Sequence, residues 1–224
     1  MRHIIQIAGI RDQQEAEMLV ACGVDWLGFP LRLTVHQEDL PEAEAARIIK
    51  SLRPPHAGVL ITYLQQAEEI AALCQSLGTR KVQLHGDITL DQLKAVKVLD
   101  PDLFVIKSLI VRDNNQRELE AEVHSLSSYV DAFITDTYDP QTGACGATGK
   151  IHDWQVSRRL VQISPQPVIL AGGLRPENVA GAISEVRPAA VDAHTGVEDV
   201  SGRKNLRLVD AFVAHARAAF ADAL

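Results

Sequence analysis

Eight short β-branched runs, each followed by a helical pattern and none set apart by a linker, predict that the 224-residue chain is one (β/α)8 barrel, a TIM barrel, formed as a single domain over residues 1–224. The runs are His3–Ala8, Val24–Phe29, Ala57–Thr62, Lys81–His85, Phe104–Leu109, Val130–Asp136, Pro167–Ala171 and Ala189–His194. They are mostly continuous and apolar rather than alternating, as strands of a parallel sheet covered on both faces are. A doubly wound sheet is the runner-up, but it usually has fewer strands, and no GxGxxG follows the first run. Residues two apart on a strand share a face, so Ile4, Gln6 and Ala8 go together, as do Ile134 and Asp136.

The helices follow in order. Asp12 with Glu15 three residues on is a capping-box-like start, and Gly23 ends that helix. The charges of Glu42–Arg47 mark a solvated helix face. Ala67, Ile70, Ala71, Cys74 and Leu77 form one apolar stripe that stops at Gly78. Leu119, Val123 and Leu126 do the same in the fifth helix. Pro176 suits the first turn of the seventh, whose inner face is Val179, Ile183 and Val186. Val209, Phe212, Val213, Ala216 and Phe220 line the last. Trp26 and Trp154 are expected to pack helices on the barrel. The long glycine-containing loop Thr137–Lys150 has the length of a lid and carries Cys145, read as incidental to it.

Composition removes whole classes of function. Lys+Arg 22 against Asp+Glu 29 leaves a net charge of −7 with no basic block, a poor match for a nucleic-acid backbone. Aromatics at 4% are too few for base-stacking platforms. No apolar run approaches the ~20 residues of a membrane helix, and the N-terminus lacks a signal-peptide pattern. Cys22, Cys74 and Cys145 are an odd set without a CxxC pair, which suits a reducing cytoplasm and excludes a disulfide scaffold. Cys22 and Cys74 fall on helical stripes and read as core.

In such a barrel the active site forms at the C-terminal strand ends. Here those ends carry polar and titratable residues: Ala8-Gly9, Phe29-Pro30, Thr62, His85-Gly86-Asp87, Lys107-Ser108, Asp136, Gly172-Gly173 and His194-Thr195-Gly196. Gly172 and Gly173 follow the seventh run, and Thr195 and Gly196 the eighth. Glycine lets backbone N–H groups approach an anion, and barrels often hold phosphate at these two ends. One glycine pair alone would be a tight turn; two sets at the two expected places predict a phosphorylated ligand.

The same residues carry a family likeness. QIAGIRD, VDWLGFP, VQLHGD, VIKS, ATGKIHDW, PVILAGGLRPENV and RPAAVDAHTGVED, in this order and across nearly the whole chain, resemble the phosphoribosylanthranilate isomerase family of tryptophan biosynthesis. The resemblance implies an Amadori rearrangement of a phosphoribosyl amine into an amino-ketose phosphate, without metal or cofactor. One group protonates the ring oxygen and another removes the C2 proton, which requires two different protonation states. It implies Asp136, in FITDT, as the acid.

The chain also departs from the family pattern. The family's base is a cysteine in a KICG-type motif; here QIAG puts Gln6 for the lysine and Ala8 for the cysteine. An arginine expected after the second run is absent, with Gln37 or Glu38 at that place and Arg32 nearby. His194-Thr195 stands where many members have two serines. His194 is therefore a candidate base or a phosphate contact. Gln6, Ala8, Arg32, His85 and Lys107 are expected around the substrate, with Lys107 facing either the mouth or the core. His85, Asp87, Asp136 and His194 come from strand ends that could converge on a metal, but no HxH or HxxE spacing supports one. His3, His36, His56, His124, His152 and His215 read as surface or packing residues.

Three functions remain open from the sequence: an isomerase of this type using another base, a diverged relative with a different phosphorylated substrate, and a non-catalytic binder of a phosphorylated metabolite. A monomer or a homodimer suits such a barrel.

Overall fold

A computed structural model describes residues 3–33, 37–137 and 152–222. Its eight parallel strands are β1 (Ile4–Ala8), β2 (Trp26–Pro30), β3 (Ala57–Thr62), β4 (Lys81–Leu84), β5 (Phe104–Val111), β6 (Ala132–Thr137), β7 (Val168–Leu170) and β8 (Ala190–Ala193). They form a closed barrel in sequence order. The helices between them are α1 (Gln13–Ala21), α2 (Glu42–Ser51), α3 (Ala67–Leu77), α4 (Leu90–Leu99), α5 (Gln116–Leu126), α6 (Trp154–Ile163) and α7 (Val179–Val186), with α8 (Leu206–Asp222) last. A 3-10 turn, Thr195–Val197, follows β8. The expected fold is the one observed. The proposed lid and Cys145 lie outside the described residues, apart from Thr137, which ends β6.

Two apolar layers result from one strand parity. Alternate residues such as Ile5, Ile7, Leu27, Leu60 and Val105 pack outward against the helices. Their neighbours Ala8, Val59, Ile106, Ala132, Ile134, Ile169 and Ala190 fill the barrel itself. Trp26 belongs to this inner set, not to the helix layer, because it shares the inward face with Gly28 and Pro30. It meets Phe104 edge to face, and the Lys81 ammonium sits 4.9 Å from the Trp26 ring centre and 5.0 Å from that of Phe104. The three side chains plug the N-terminal end of the barrel, and burial pushes the Lys81 ammonium down from its ordinary value. Trp154 packs against the outer layer as expected.

Local signals act where expected. The Asp12 side chain accepts from Glu15 N–H at 2.9 Å, and Glu15 reaches back to Arg11 N–H at 2.9 Å. Gly78 ends α3 at φ 77°, its N–H on Cys74 O. Pro176 does not open α7: it sits in a turn, and the helix starts at Val179 on the Arg175 carbonyl.

One device appears twice. Asp25, just before β2, accepts from Ile5 N–H at 2.7 Å through its carboxylate and donates its own N–H to Ile5 O at 2.9 Å. Arg217 of α8 grips the same carboxylate oxygen at 2.7 Å. Asp131, just before β6, accepts from Val105 N–H at 2.7 Å and donates to Val105 O at 2.8 Å, with Lys97 of α4 on its carboxylate. Each clamp joins two strands to a helix at the N-terminal rim. Asp25→Ala should lower stability by about 2 kcal/mol, since it strips a charged acceptor from Ile5 and Arg217 together. Thermal unfolding should then shift down by about 4–8 °C. Asp25→Asn, which keeps an acceptor for Ile5, should lose less.

Candidate active site

A cavity of about 290 Å³ opens at the C-terminal strand ends. Ala8, Pro30 and Ile61 form its apolar side, and Gln83, His85, Asp136 and Asp192 its polar side. Gly172, Gly173, His194, Thr195 and Gly196 close the rim over β7 and β8.

Asp136 ends the inward face of β6 and is 8% exposed. Burial pushes its carboxyl up from the ordinary carboxylate range, while the neighbouring His85 imidazole and the Thr137 N–H, 2.8 Å from Oδ1, act against that. His85 is held by Ser108 Oγ at 3.0 Å from Nδ1 and by the edge of Tyr63.

Asp192 lies two strands away on β8, also 8% exposed. Burial and the charge of Asp136 push it up to about 7, against the pull of the Gln6 amide and the Lys204 ammonium. Among the described residues its Oδ1 has no hydrogen-bond partner, and neither has Oε1 of Gln6.

His194 follows β8 and folds over the end of β1. A Cβ added to Gly9 would lie 2.1 Å from His194 Nε2, so only glycine at φ +79° leaves the ring its place. The same nitrogen is 3.4 Å from Glu198 Oε1, which also takes Lys204 Nζ at 2.5 Å. Lys204 is buried, and burial lowers its ammonium despite Glu198, Glu15 and Asp39 around it.

The two glycine turns touch. A Cβ at Gly196 would come within 1.9 Å of Leu174 O, and Gly172 and Gly173 stand at φ +94° and +62°. Asn178 fixes the first turn, accepting from Arg175 N–H at 2.9 Å and donating to Gly173 O at 3.0 Å. His152 packs beside it, bonded to Thr137 Oγ1 at 3.2 Å and Ser157 Oγ at 2.6 Å, and burial lowers its imidazole to about 4.

Eight of the residues singled out from sequence therefore line the cavity: Ala8, His85, Asp136, Gly172, Gly173, His194, Thr195 and Gly196. Three do not. Lys107 is odd-numbered on a strand whose even-numbered residues point inward, so it faces α5, with Nζ 3.4 Å from Glu122 and 2.8 Å from Ser108 O. Arg32 is exposed and paired with Glu42, on the outside of the mouth. Gln6 does point inward but one layer too deep, its amide 3.1 Å from Gln83 Oε1 beneath the cavity. Sequence reasoning passed over Asp192, Gln83 and Asp39; the inward face of β8, which carries Asp192, is set by its pairing with β1 and β7. Among the described residues no three His, Cys, Asp or Glu side chains stand close enough to share a metal ion, and Asp87 is exposed. No helix among them is long and apolar enough to cross a membrane.

This fold, with ionisable groups gathered at the C-terminal strand ends, defines a (β/α)8-barrel enzyme. The family described as N-(5'-phosphoribosyl)anthranilate (PRA) isomerase matches residues 5–215. N-(5'-phosphoribosyl)anthranilate isomerase 2 of Methanosarcina mazei is 37% identical over 217 residues, covering 95% of this chain and 93% of that protein. The corresponding isomerase of Methanothrix thermoacetophila is 32% identical, covering 95% and 97%. The crystal structure of the Thermotoga maritima isomerase superposes with a TM-score of 0.81 at 28% identity, over 96% of this chain and 98% of that one. A phosphoribosyl anthranilate isomerase solved in complex with reduced 1-(o-carboxyphenylamino)-1-deoxyribulose 5-phosphate gives 0.79 at 26% identity, over 96% and 98%. The chain belongs to the phosphoribosylanthranilate isomerase family.

The glycine turns can be tested for packing alone. Gly196→Ala should destabilise by about 2 kcal/mol, because Leu174 O is backbone and cannot swing away. Gly181→Ala on α7, where a Cβ meets nothing within 4 Å, should instead stabilise by up to about 1 kcal/mol. Chemical denaturation of the two variants measures both.

Proposed function

We propose that the chain catalyses an Amadori-type isomerisation of a phosphorylated aminoaldose, with phosphoribosylanthranilate, the compound in its relatives' names, as substrate. The observation that carries this is Asp136. A carboxyl whose hold on its proton burial strengthens, lining a cavity rimmed by two touching glycine turns, suits the role of the acid that opening a sugar ring requires. Gly172, Gly173, Thr195 and Gly196 hold the phosphate through backbone donors, so the −7 net charge is no obstacle. Asp136 protonates the ring oxygen, the ring opens to an iminium, and loss of the C2 proton gives an enolamine that becomes the ketose. Ala8 cannot take that proton. His194, already engaged with Glu198, serves the phosphate side of the pocket.

One observation favours a second reading. The described lining residues include no Lys or Arg, and Asp39 lies among them, pushed up by burial. A substrate lacking anthranilate's carboxylate would meet no repulsion there.

Turnover of phosphoribosylanthranilate by the purified chain, and growth of a strain lacking this isomerase, test the first reading. Asp136→Asn should cut kcat by ~10²–10⁴ with little change in phosphate affinity. Turnover only of a carboxylate-free aminoaldose phosphate would move the assignment to the second reading. Stabilisation by such ligands with no turnover would leave a binding protein.

A further inference from the structure

We infer that Asp192 is the base that this chain uses in place of a strand-one cysteine. The inference rests on the proposed isomerisation. Register supplies the first argument. β8 is the strand paired with β1, Gln6 stands opposite Asp192, and the inward face of β1 continues from Gln6 to Ala8. The carboxylate therefore belongs to the same wall of the cavity as Ala8. The second argument is its bonding. Oδ1 is buried without a partner among the described residues, and leaving such an acceptor unsatisfied is costly unless something else uses it. A sugar hydroxyl or C–H carbon arriving in the cavity is that missing partner.

The groups around it fit the role. Asp136 faces it from β6, Gln6 from β1, and Lys204 from beyond β8. His85 lines the cavity beside Asp136, and His194 is turned to Glu198. Burial raises both facing carboxyls, Asp192 to about 7, and two carboxyls that disfavour each other's charge across one cavity divide into one acid and one base. The protons balance. Asp136 gives its proton to the ring oxygen as the C–O bond breaks and the C1=N iminium forms. Asp192 takes the C2 proton, and that electron pair makes the C1=C2 bond. The enol O–H then returns a proton to Asp136, C1 receives the one on Asp192, and both carboxyls are restored.

Kinetics across pH test this with four proteins: the parent, Asp192→Asn, Asp192→Asn with Ala8→Cys, and His194→Gln. The parent's kcat should rise with pH through about 7, as Asp192 loses its proton. Asp192→Asn should lose ~10²–10⁴ in kcat. Its thermal stability at pH 8 should at least equal the parent's. The reason is that a raised folded pKa stabilises fully below the ordinary value of 3.8, and that gain is gone once the pH has passed about 7. Adding Ala8→Cys should restore at least tenfold and move the acidic limb toward the thiol range of about 8–9. His194→Gln should keep the parent's limb. Asp192→Asn with the parent's kcat and limb overturns the inference. So does a loss that the cysteine does not relieve, or a limb that disappears only in His194→Gln. A parent without isomerase turnover on any aminoaldose phosphate overturns the proposed function and this inference together.

Discussion

The pairing of β8 with β1, from Ile4 against Ala190 to Ile7 against Ala193, turns a row of strands into a ring. Closure leaves each strand one inward and one outward face, and the choice is the same for all residues of that strand. A slip of one residue at this seam would exchange Asp192 for Val191 or Ala193 and drive a carboxylate into the aliphatic layer under the helices. The Asp25 clamp lies one strand on, at the β1–β2 join. It ties β1 to the start of β2 and, through Arg217, to α8, the helix that follows β8.

Within the ring, chemistry changes with depth. The N-terminal end is plugged by Trp26, Phe104 and the stem and charge of Lys81. Small and branched aliphatic residues follow, then the amides of Gln6 and Gln83, and finally the carboxyls of Asp192 and Asp136 with His85. Each polar layer costs stability that an aliphatic filling would not, and the orphaned oxygens of Gln6 and Asp192 are the plainest instance. The apolar plug below and the helix layer outside offset that cost.

The strands, the helix starts at Asp12 and stops at Gly23 and Gly78, and the two glycine turns were legible in the sequence because each depends on neighbours along the chain. Asp136 was legible for the same reason: it ends an apolar run. The misplaced residues share a different character. Lys107 and Trp26 turn on which parity of a continuous apolar strand points inward, and an all-apolar run does not mark its own parity. Gln6 required knowing depth along the barrel axis. Arg32 required knowing that Glu42 of the next helix would claim it. Asp192 sat inside a run read as buried strand, and only ring closure brings it near Asp136.

The described cysteines, Cys22 and Cys74, pack with the outer layer, and burial raises both thiols, that of Cys74 to about 12. Neither lines the cavity. Among the described residues the cavity is lined by carboxyls, imidazoles and amides without a thiol, so these residues present no sulfur for peroxide to oxidise or for a disulfide to exchange with. With a methyl group at position 8, the end of β1 presents the cavity no group that the redox state of the surroundings could alter.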